Sequence, residues 1–257
     1  DKTQARDSMR AAGIPITPGS EGNLDSLDEA LELANEIGYP VMLKATSGGG
    51  GRGIRRCDTP QELKVQYPRV ISEATKAFGS AEVFMEKCIV NPRHIEVQIL
   101  ADSQGNAIHL FERDCSIQRR NQKLIEIAPS PQLTPEQRQY IGDLAVRAAK
   151  AVGYENAGTV EFLLSGNEVH FMEMNTRVQV EHTITEAITG VDIVREQLRI
   201  ASGLPLSYRQ EDIQFRGYAL QFRINAEDPK NDFLPSFGRI THYYAPGGPG
   251  VRVDTAI

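Results

Sequence analysis

The chain has 257 residues, a formal net charge of −6 and an isoelectric point of about 5.5. That length accommodates one large domain or two smaller ones with a substantial core, and the acidic balance speaks against nucleic-acid partners and anionic membrane surfaces. With no run of ~18 apolar residues and no signal-peptide pattern, the expected location is cytoplasmic. Cys57, Cys88 and Cys115 are far apart and without CxxC spacing, which reads as reduced thiols rather than a disulfide framework or zinc site. The start at Asp1 and the strand-like run over residues 251–257 suggest a piece of a longer polypeptide.

Lys2 to Ala12 has helical composition and stops at Gly13-Ile14-Pro15. Ser26 is placed to cap a helix running to Ile37, in which Leu27, Ala30, Leu31, Ala34 and Ile37 form an apolar stripe closed by Gly38. A strand over residues 41–44 leads into Thr46-Ser47-Gly48-Gly49-Gly50-Gly51-Arg52-Gly53. Such a loop either links strands flexibly or closes backbone N–H groups around an anion, and neighbouring Lys44 and Arg52 favour phosphate. It is neither a P-loop nor a GxGxxG helix start.

A second strand over residues 54–57 is followed by Thr59-Pro60-Gln61-Glu62, a capped helix start. Pro68 is expected to kink or split the helix that runs towards Phe78. With a strand at residues 82–87, residues 16–88 read as a small α+β lid. Residues 1–15 precede it as a linker helix, and a larger body begins at residue 89. Strands at 94–100 and 107–112 pair around the turn at 102–106. The following stretch, 113–123, is dense in cations and amides, and Arg119, Arg120 and Lys123 make either a solvated loop or an anion contact. A capped helix opens at Thr134-Pro135-Glu136-Gln137, and another spans about 192–201. Strands at 218–226 and 238–244 complete the chain.

The stretch from Gly158 to His182 organises the rest. Thr159–Leu164 and Glu168–Met174 read as a hairpin around Ser165-Gly166-Asn167. With a three-residue loop, Glu161 lies opposite Phe171, and Glu161, Phe171 and Glu173 share a face. Glu161 and Glu173 are then diagonal neighbours, roughly 7–8 Å apart at the backbone. Carboxylates so held repel unless a cation lies between them, and a sparse pair of hard oxygen ligands suits Mg2+ or Mn2+. Glu173, Asn175, Arg177, Gln179 and Glu181 continue at i, i+2 spacing. That row is costly to bury for stability alone; the plainer alternative is a solvated edge strand.

Several motifs together resemble the biotin carboxylase family, a branch of the ATP-grasp enzymes, over essentially the whole chain. They are Lys44-Ala45 with the glycine loop, Met85-Glu86-Lys87, Asn91-Pro92-Arg93-His94, Glu112-Arg113-Asp114-Cys115-Ser116, Gln118-Arg119-Arg120, the run from Glu173 to His182, and the run from Arg223 to Pro229. The last two together are highly specific; the glycine loop alone is not. The resemblance implies an α+β ATP-grasp fold with a mobile lid, hinged near residues 13–22 and 87–91, on a larger β-rich body. It implies that ATP and bicarbonate give carboxyphosphate and ADP, and that CO2 then carboxylates N1′ of a biotin carried elsewhere.

By the same resemblance, Lys2, Lys44 and the loop with Gly49, Gly50 and Gly51 contact phosphates. Glu86, Lys87 and Ile89 hold adenine, largely through backbone groups, while His94 and Gln118 lie beside the nucleotide. Glu161 and Glu173 hold Mg2+ or Mn2+, with Asn175 beside them. Lys123, Arg177, Gln179 and the Val180 backbone form the bicarbonate site. Glu181 is the base, and Arg223 stabilises the biotin enolate. Asn121 stands where the family usually has His, which implies an altered nucleotide contact. The implied partners are a biotin carboxyl carrier, a carboxyltransferase component and, as often in the family, a second copy of the chain. Ile125-Glu126-Ile127 looks more like pyruvate carboxylase than acetyl-CoA carboxylase. Two other readings are an ATP-grasp ligase joining a carboxylate to an amine, and a nucleotide-binding module without activity. Arg177 to His182 together with Arg223 speak against the first; intact Lys44, Glu161, Glu173, Glu181 and Arg223 speak against the second.

Overall fold

Two antiparallel sheets with helices packed against them organise the first of two compact units, Asp1–Phe222; the second is Arg223–Ile257. The computed structural model describes residues 2–46, 53–79 and 81–255. After α1 (Lys2–Ala11), α2 (Leu27–Ile37), β1 (Val41–Ala45), β2 (Ile54–Cys57), α3 (Pro60–Phe78) and β3 (Val83–Lys87) build the smaller sheet, ordered β2-β1-β3. Its own core includes Ala30, Ala34, Val41, Leu43, Leu63 and Val70. Ser26 caps α2 by accepting from the Glu29 amide at 3.2 Å. Thr59 caps α3 likewise, while the Glu62 carboxylate accepts from the Asp58 amide at 2.8 Å.

Pro68 does not split α3. The proline lacks an N–H and forfeits one helical hydrogen bond, but Leu63, Tyr67, Val70 and Ala74 on either side are buried and hold the helix continuous.

The larger sheet is ordered β8-β7-β4-β5-β6-β9. Its strands are β4 (Arg93–Ala101), β5 (Ala107–Arg119), β6 (Gln122–Ala128), β7 (Asn156–Ser165), β8 (Glu168–Asn175) and β9 (Ala219–Phe222). Between them run α4 (Pro135–Ala151), α5 (His182–Thr189) and α6 (Ile193–Ala201). Ile95, Val97, Ile99, Val160 and Phe162 face α4, where Ile141, Leu144 and Ala148 complete one buried core. The alternate residues of β4 and β7 point to the opposite, polar face.

Three expectations change. The Arg113–Lys123 stretch is not a loop: β5 runs on to Arg119 and turns through Arg120 and Asn121, at φ 52° and 62°, into β6. Asn suits that left-handed turn. The β7–β8 loop has two residues, Gly166 and Asn167, with Ser165 paired to Glu168. Phe171 therefore pairs with Phe162 on the core face. A bulge at Met172 then restores Glu161 to a position directly opposite Glu173. Finally, β8 ends at Asn175, so Arg177, Gln179 and Glu181 lie on a turn leading into α5, not on a strand.

The second unit holds a small ribbon of β10 (Glu227–Asp228) and β11 (Leu234–Pro235). The expected strands over 218–226, 238–244 and 251–257 reduce, among the described residues, to β9 alone. A strand needs a ladder partner, and Ile224, Phe237 and Tyr244 are each more than 85% exposed, being 91%, 93% and 86%.

Residues 16–20 tie the two sheets of the first unit together. Ile16 bridges Phe171 of β8, and Gly19 bridges Glu86 of β3. The Lys87 amide donates to the Pro18 carbonyl at 2.7 Å and the Ser20 amide to the Met85 carbonyl at 2.9 Å. A Cβ on Gly19 would meet the Met85 carbonyl oxygen at 2.3 Å. Gly19→Ala should therefore cost about 1–3 kcal/mol of stability by overpacking, measured by urea unfolding; an unchanged midpoint would show that this connector yields freely.

Candidate active site

The polar face of the larger sheet carries one row across four strands. Glu173 of β8 pairs with Glu161 of β7, Glu161 with Glu96 of β4, and Glu96 with Arg113 of β5. Paired residues share a face, so three carboxylates stand side by side, an arrangement that repels itself unless cations intervene. Lys123 supplies one. Its ammonium donates to Glu161 Oε1 at 2.9 Å, to Glu181 Oε1 at 2.7 Å and to Glu96 Oε2. Burial opposes the charge on Lys123, but Glu96 and Glu161 outweigh it and hold the ammonium above the usual lysine range.

Glu161 is the most heavily bonded of the row's three carboxylates. Asn175 Nδ2 and Gln179 Nε2 each donate to its Oε1 at 3.0 Å. His94 Nε2 lies 2.9 Å from its Oε2, and Gln118 Nε2 lies 2.8 Å from His94 Nδ1. Gln118 donates to Nδ1, so Nε2 carries the ring hydrogen and donates to Glu161. Burial alone would raise the Glu161 pKa, but His94 and Lys123 hold it well below the usual carboxylate range.

Arg113 is fully buried and anchors the row. Its Nε donates to Glu96, its Nη1 to Gln98 Oε1 at 2.8 Å and Thr185 Oγ1 at 2.9 Å, and its Nη2 to Thr159 Oγ1 at 3.2 Å and Gln179 Oε1 at 3.1 Å.

A second cluster lies on the smaller sheet, where Lys44 and Arg6 both pair with Glu86. The Lys87 ammonium instead donates to the Gly38 and Tyr39 carbonyls at 2.9 and 3.0 Å, closing the end of α2. Ile89 is half-buried.

Of the residues expected at the site, His94, Gln118, Lys123, Glu161, Glu173, Asn175, Gln179 and Glu181 come together through this row and the turn before α5. Arg177 is exposed and donates to the Val178 carbonyl at 3.1 Å. Val180 is 64% exposed, and Asn121 sits exposed at its hairpin tip. Arg223 begins the second unit. The Lys2 side chain and Gly49, Gly50 and Gly51 lie outside the described residues. The expectation overlooked Glu96, Gln98 and the anchoring by Arg113. The signal was available: His94, Glu96 and Gln98 are three polar residues at i, i+2 spacing in a strand otherwise rich in Ile, Val and Leu.

The donor set suits a divalent cation. Glu161 and Glu173 are directly opposed, the Glu173 carboxylate has no hydrogen-bond partner among the described residues, and Asn175 commits only its Nδ2 to Glu161. Carboxylate and amide oxygens are the hard ligands Mg2+ prefers. His94, Glu96 and Glu161 also converge closely enough to hold an ion, but Lys123 already pairs with both carboxylates there.

Residues 1–209 match the family model described as carbamoyl-phosphate synthase L chain, ATP binding domain, and residues 221–257 match the biotin carboxylase C-terminal domain. The chain is 59% identical over 258 residues to the 2-oxoglutarate carboxylase small subunit of Hydrogenobacter thermophilus, covering 100% of this chain and 54% of that protein. It is 56% identical over 257 residues to Biotin carboxylase 1 of Bacillus subtilis, covering 99% and 57%. The crystal structure of the Hydrogenobacter thermophilus 2-oxoglutarate carboxylase biotin carboxylase domain dimer, with MgADP, ADP and bicarbonate, superposes with a TM-score of 0.94 at 58% identity, over 98% of this chain and 56% of that one. The chain thus spans about half the length of the curated relatives it matches. Fold and polar face together define an ATP-binding domain of the ATP-grasp class. Within that class, the chain belongs to the biotin carboxylase family.

Two outcomes follow for the charged row. Lys123→Met removes a buried cation shared by Glu96, Glu161 and Glu181 and should destabilise the fold by about 3–5 kcal/mol at neutral pH, with part recovered on acidification. A loss below about 1 kcal/mol would mean the pair behaves like a surface ion pair. Glu161 ionises more readily in the folded chain, so its stabilisation is complete above the ordinary value of 4.5 and is lost as pH falls through its depressed folded value. Urea midpoints measured down the acid limb should therefore fall more steeply for the wild type than for Glu161→Gln.

Proposed function

We propose that this chain carries the ATP-grasp part of a biotin carboxylase, in which ATP activates bicarbonate as carboxyphosphate and the CO2 released carboxylates carrier-bound biotin at N1′. The observation that carries this reading is the Lys123 ammonium bridging Glu161 and Glu181 at 2.9 and 2.7 Å. It brings a metal-ligand candidate and a base candidate to one cation.

In this reading Glu181 takes the bicarbonate proton as the oxyanion attacks the γ-phosphorus of ATP; ADP leaves. Lys123, Arg177, Gln179 and the Val180 backbone hold the anion, which requires Lys123 to exchange at least one carboxylate partner for substrate. Carboxyphosphate then breaks to CO2 and phosphate. Phosphate accepts the biotin N1′ proton, Arg223 stabilises the enolate by charge, and the nucleophilic nitrogen attacks CO2. Glu161, Glu173 and Asn175 would hold Mg2+ or Mn2+, which would supply neutralisation of the phosphate charge. Lys2, Lys44 and the glycine loop with Gly49, Gly50 and Gly51 contact the triphosphate. His94, Gln118 and Asn121 line the nucleotide, and Glu86, Lys87 and Ile89 hold adenine. With Lys44 and Arg6 both paired to Glu86, nucleotide entry would draw Lys44 towards phosphate and leave Arg6 to hold the carboxylate.

Residues 16–88 act as the lid, moving on hinges near residues 13–22 and 87–91. The partners are a biotin carboxyl carrier, a carboxyltransferase component and a second copy of the chain. The final acceptor is chosen outside this chain. Ile127, the basis of the leaning towards pyruvate, is a half-buried strand residue paired with Leu220 and Asp114, and one relative named above is called a 2-oxoglutarate carboxylase subunit, not a pyruvate carboxylase. No described helix is long and apolar enough to cross a membrane.

The test is bicarbonate-dependent ATP hydrolysis by the full-length protein with Mg2+ and free biotin. Glu181→Gln should lower biotin-stimulated turnover by roughly 10²–10⁴-fold, the usual weight of a general base, while nucleotide binding persists. ATP binding without any response to bicarbonate or biotin would overturn the reading in favour of an ATP-grasp ligase acting on an amine.

A further inference from the structure

We infer that Arg113 is the positioning residue of the bicarbonate site, setting Lys123 through Glu96 and setting Gln179 directly. The inference rests on the biotin carboxylase reading and deepens it.

A guanidinium has five N–H donors in a rigid planar fork. Arg113 has five hydrogen bonds to five side chains from β4, β7, α5 and the turn before α5. Nothing is left for substrate, and its side chain has 0% exposure, so it is not itself a catalytic residue. The bonds divide into two sets. Gln98, Thr159 and Thr185 are neutral anchors that fix the plane of the fork. Glu96 and Gln179 are the outputs.

Each output has one polar group on Arg113 and the other on the site. Glu96 gives Oε1 to Arg113 and Oε2 to Lys123. Gln179 gives Oε1 to Arg113 and turns Nε2 onto Glu161. Accepting from Arg113 fixes which way the Gln179 amide points; a flip would set its carbonyl oxygen against the Glu161 carboxylate. Arg113 thus orients a donor and a cation that the reading assigns to bicarbonate, without touching either the anion or the nucleotide. A charge-only role in balancing Glu96 would need neither the anchors nor the bond to Gln179.

The distinction is measurable with two substitutions in the full-length protein. Arg113→Lys keeps the charge but replaces the fork with a point donor that cannot hold Glu96 and Gln179 at once. Thr185→Val removes one anchor in nearly the same volume, on a residue outside the reaction machinery, and serves if Arg113→Lys fails to fold. Positioning requires bicarbonate KM to rise, by roughly tenfold or more in Arg113→Lys and by a smaller factor in Thr185→Val. ATP KM should rise by a clearly smaller factor in both, because Arg113 bonds Gln179 directly and Lys123 through Glu96, but reaches Glu161 and His94 only beyond those two.

A merely structural role would lower thermal stability and the amount of active enzyme while leaving both KM values unchanged, and that result would overturn the inference. So would equal rises in ATP and bicarbonate KM. A wild-type protein without bicarbonate-dependent turnover would instead overturn the biotin carboxylase reading and take this inference with it. A bicarbonate-responsive wild type with unresponsive variants separates the two.

Discussion

Repulsion within one row of the larger sheet is the constraint on which the rest depends. Glu173, Glu161 and Glu96 are register partners on adjacent strands, and Glu181 reaches Lys123 from the turn before α5. Four carboxylates around one face cannot fold together unpaired. Lys123 binds three of them and Arg113 closes the end of the row, leaving Glu173 as the member without a described partner. The same charges that make the face expensive to bury give it affinity for a cation, and through Lys123 for an anion.

The packing follows from keeping that face and its reverse separate. The reverse is apolar and closed by α4, so β4 and β7 alternate between core and site residue by residue. Glu112 and Asp114, on either side of Arg113, show the same division. Glu112 holds Arg138 of α4 and the Ser130 amide, and Asp114 holds Arg93 and Ser130. Three consecutive charged residues on one strand thus serve two unrelated jobs, which is why neither composition nor local charge density distinguishes the anchor from its neighbours.

Much of this was legible in the sequence. Capping residues at Ser26, Thr59 and Thr134 marked three helices, and apolar runs marked β1 to β4, β7 and β8, while β6 and the end of β5 went unmarked and the strands expected over 238–244 and 251–257 did not form among the described residues. The pairing of Glu161 with Glu173 was legible as a shared face, although its derivation used a three-residue loop and no bulge, and so put Phe171 on the wrong side. Register depends on one-residue differences that periodicity does not encode. The same holds beyond Asn175: i, i+2 spacing continues, but the backbone does not, because a pattern of polar residues cannot announce that a turn has begun. The link between Glu96, which its polar spacing marks, and Arg113 was hidden for a different reason. Their importance comes from being neighbours across strands seventeen residues apart in sequence, and only the fold makes them so.

The bulge at Met172 changes the parity of β8 partway along its length. Before it, Val169 and Phe171 belong to the core; after it, Glu173 and Asn175 belong to the site, and odd-numbered residues have exchanged sides without any change in number. A strand built this way can accept substitutions on either half independently, since each half keeps its own face. It tolerates a change in length in one direction only. Loss of Met172 would remove the bulge and leave Phe171 opposite Phe162 and Glu173 opposite Glu161 in ordinary alternation. One residue gained between Phe171 and Glu173 would instead turn Glu173 into the hydrophobic layer.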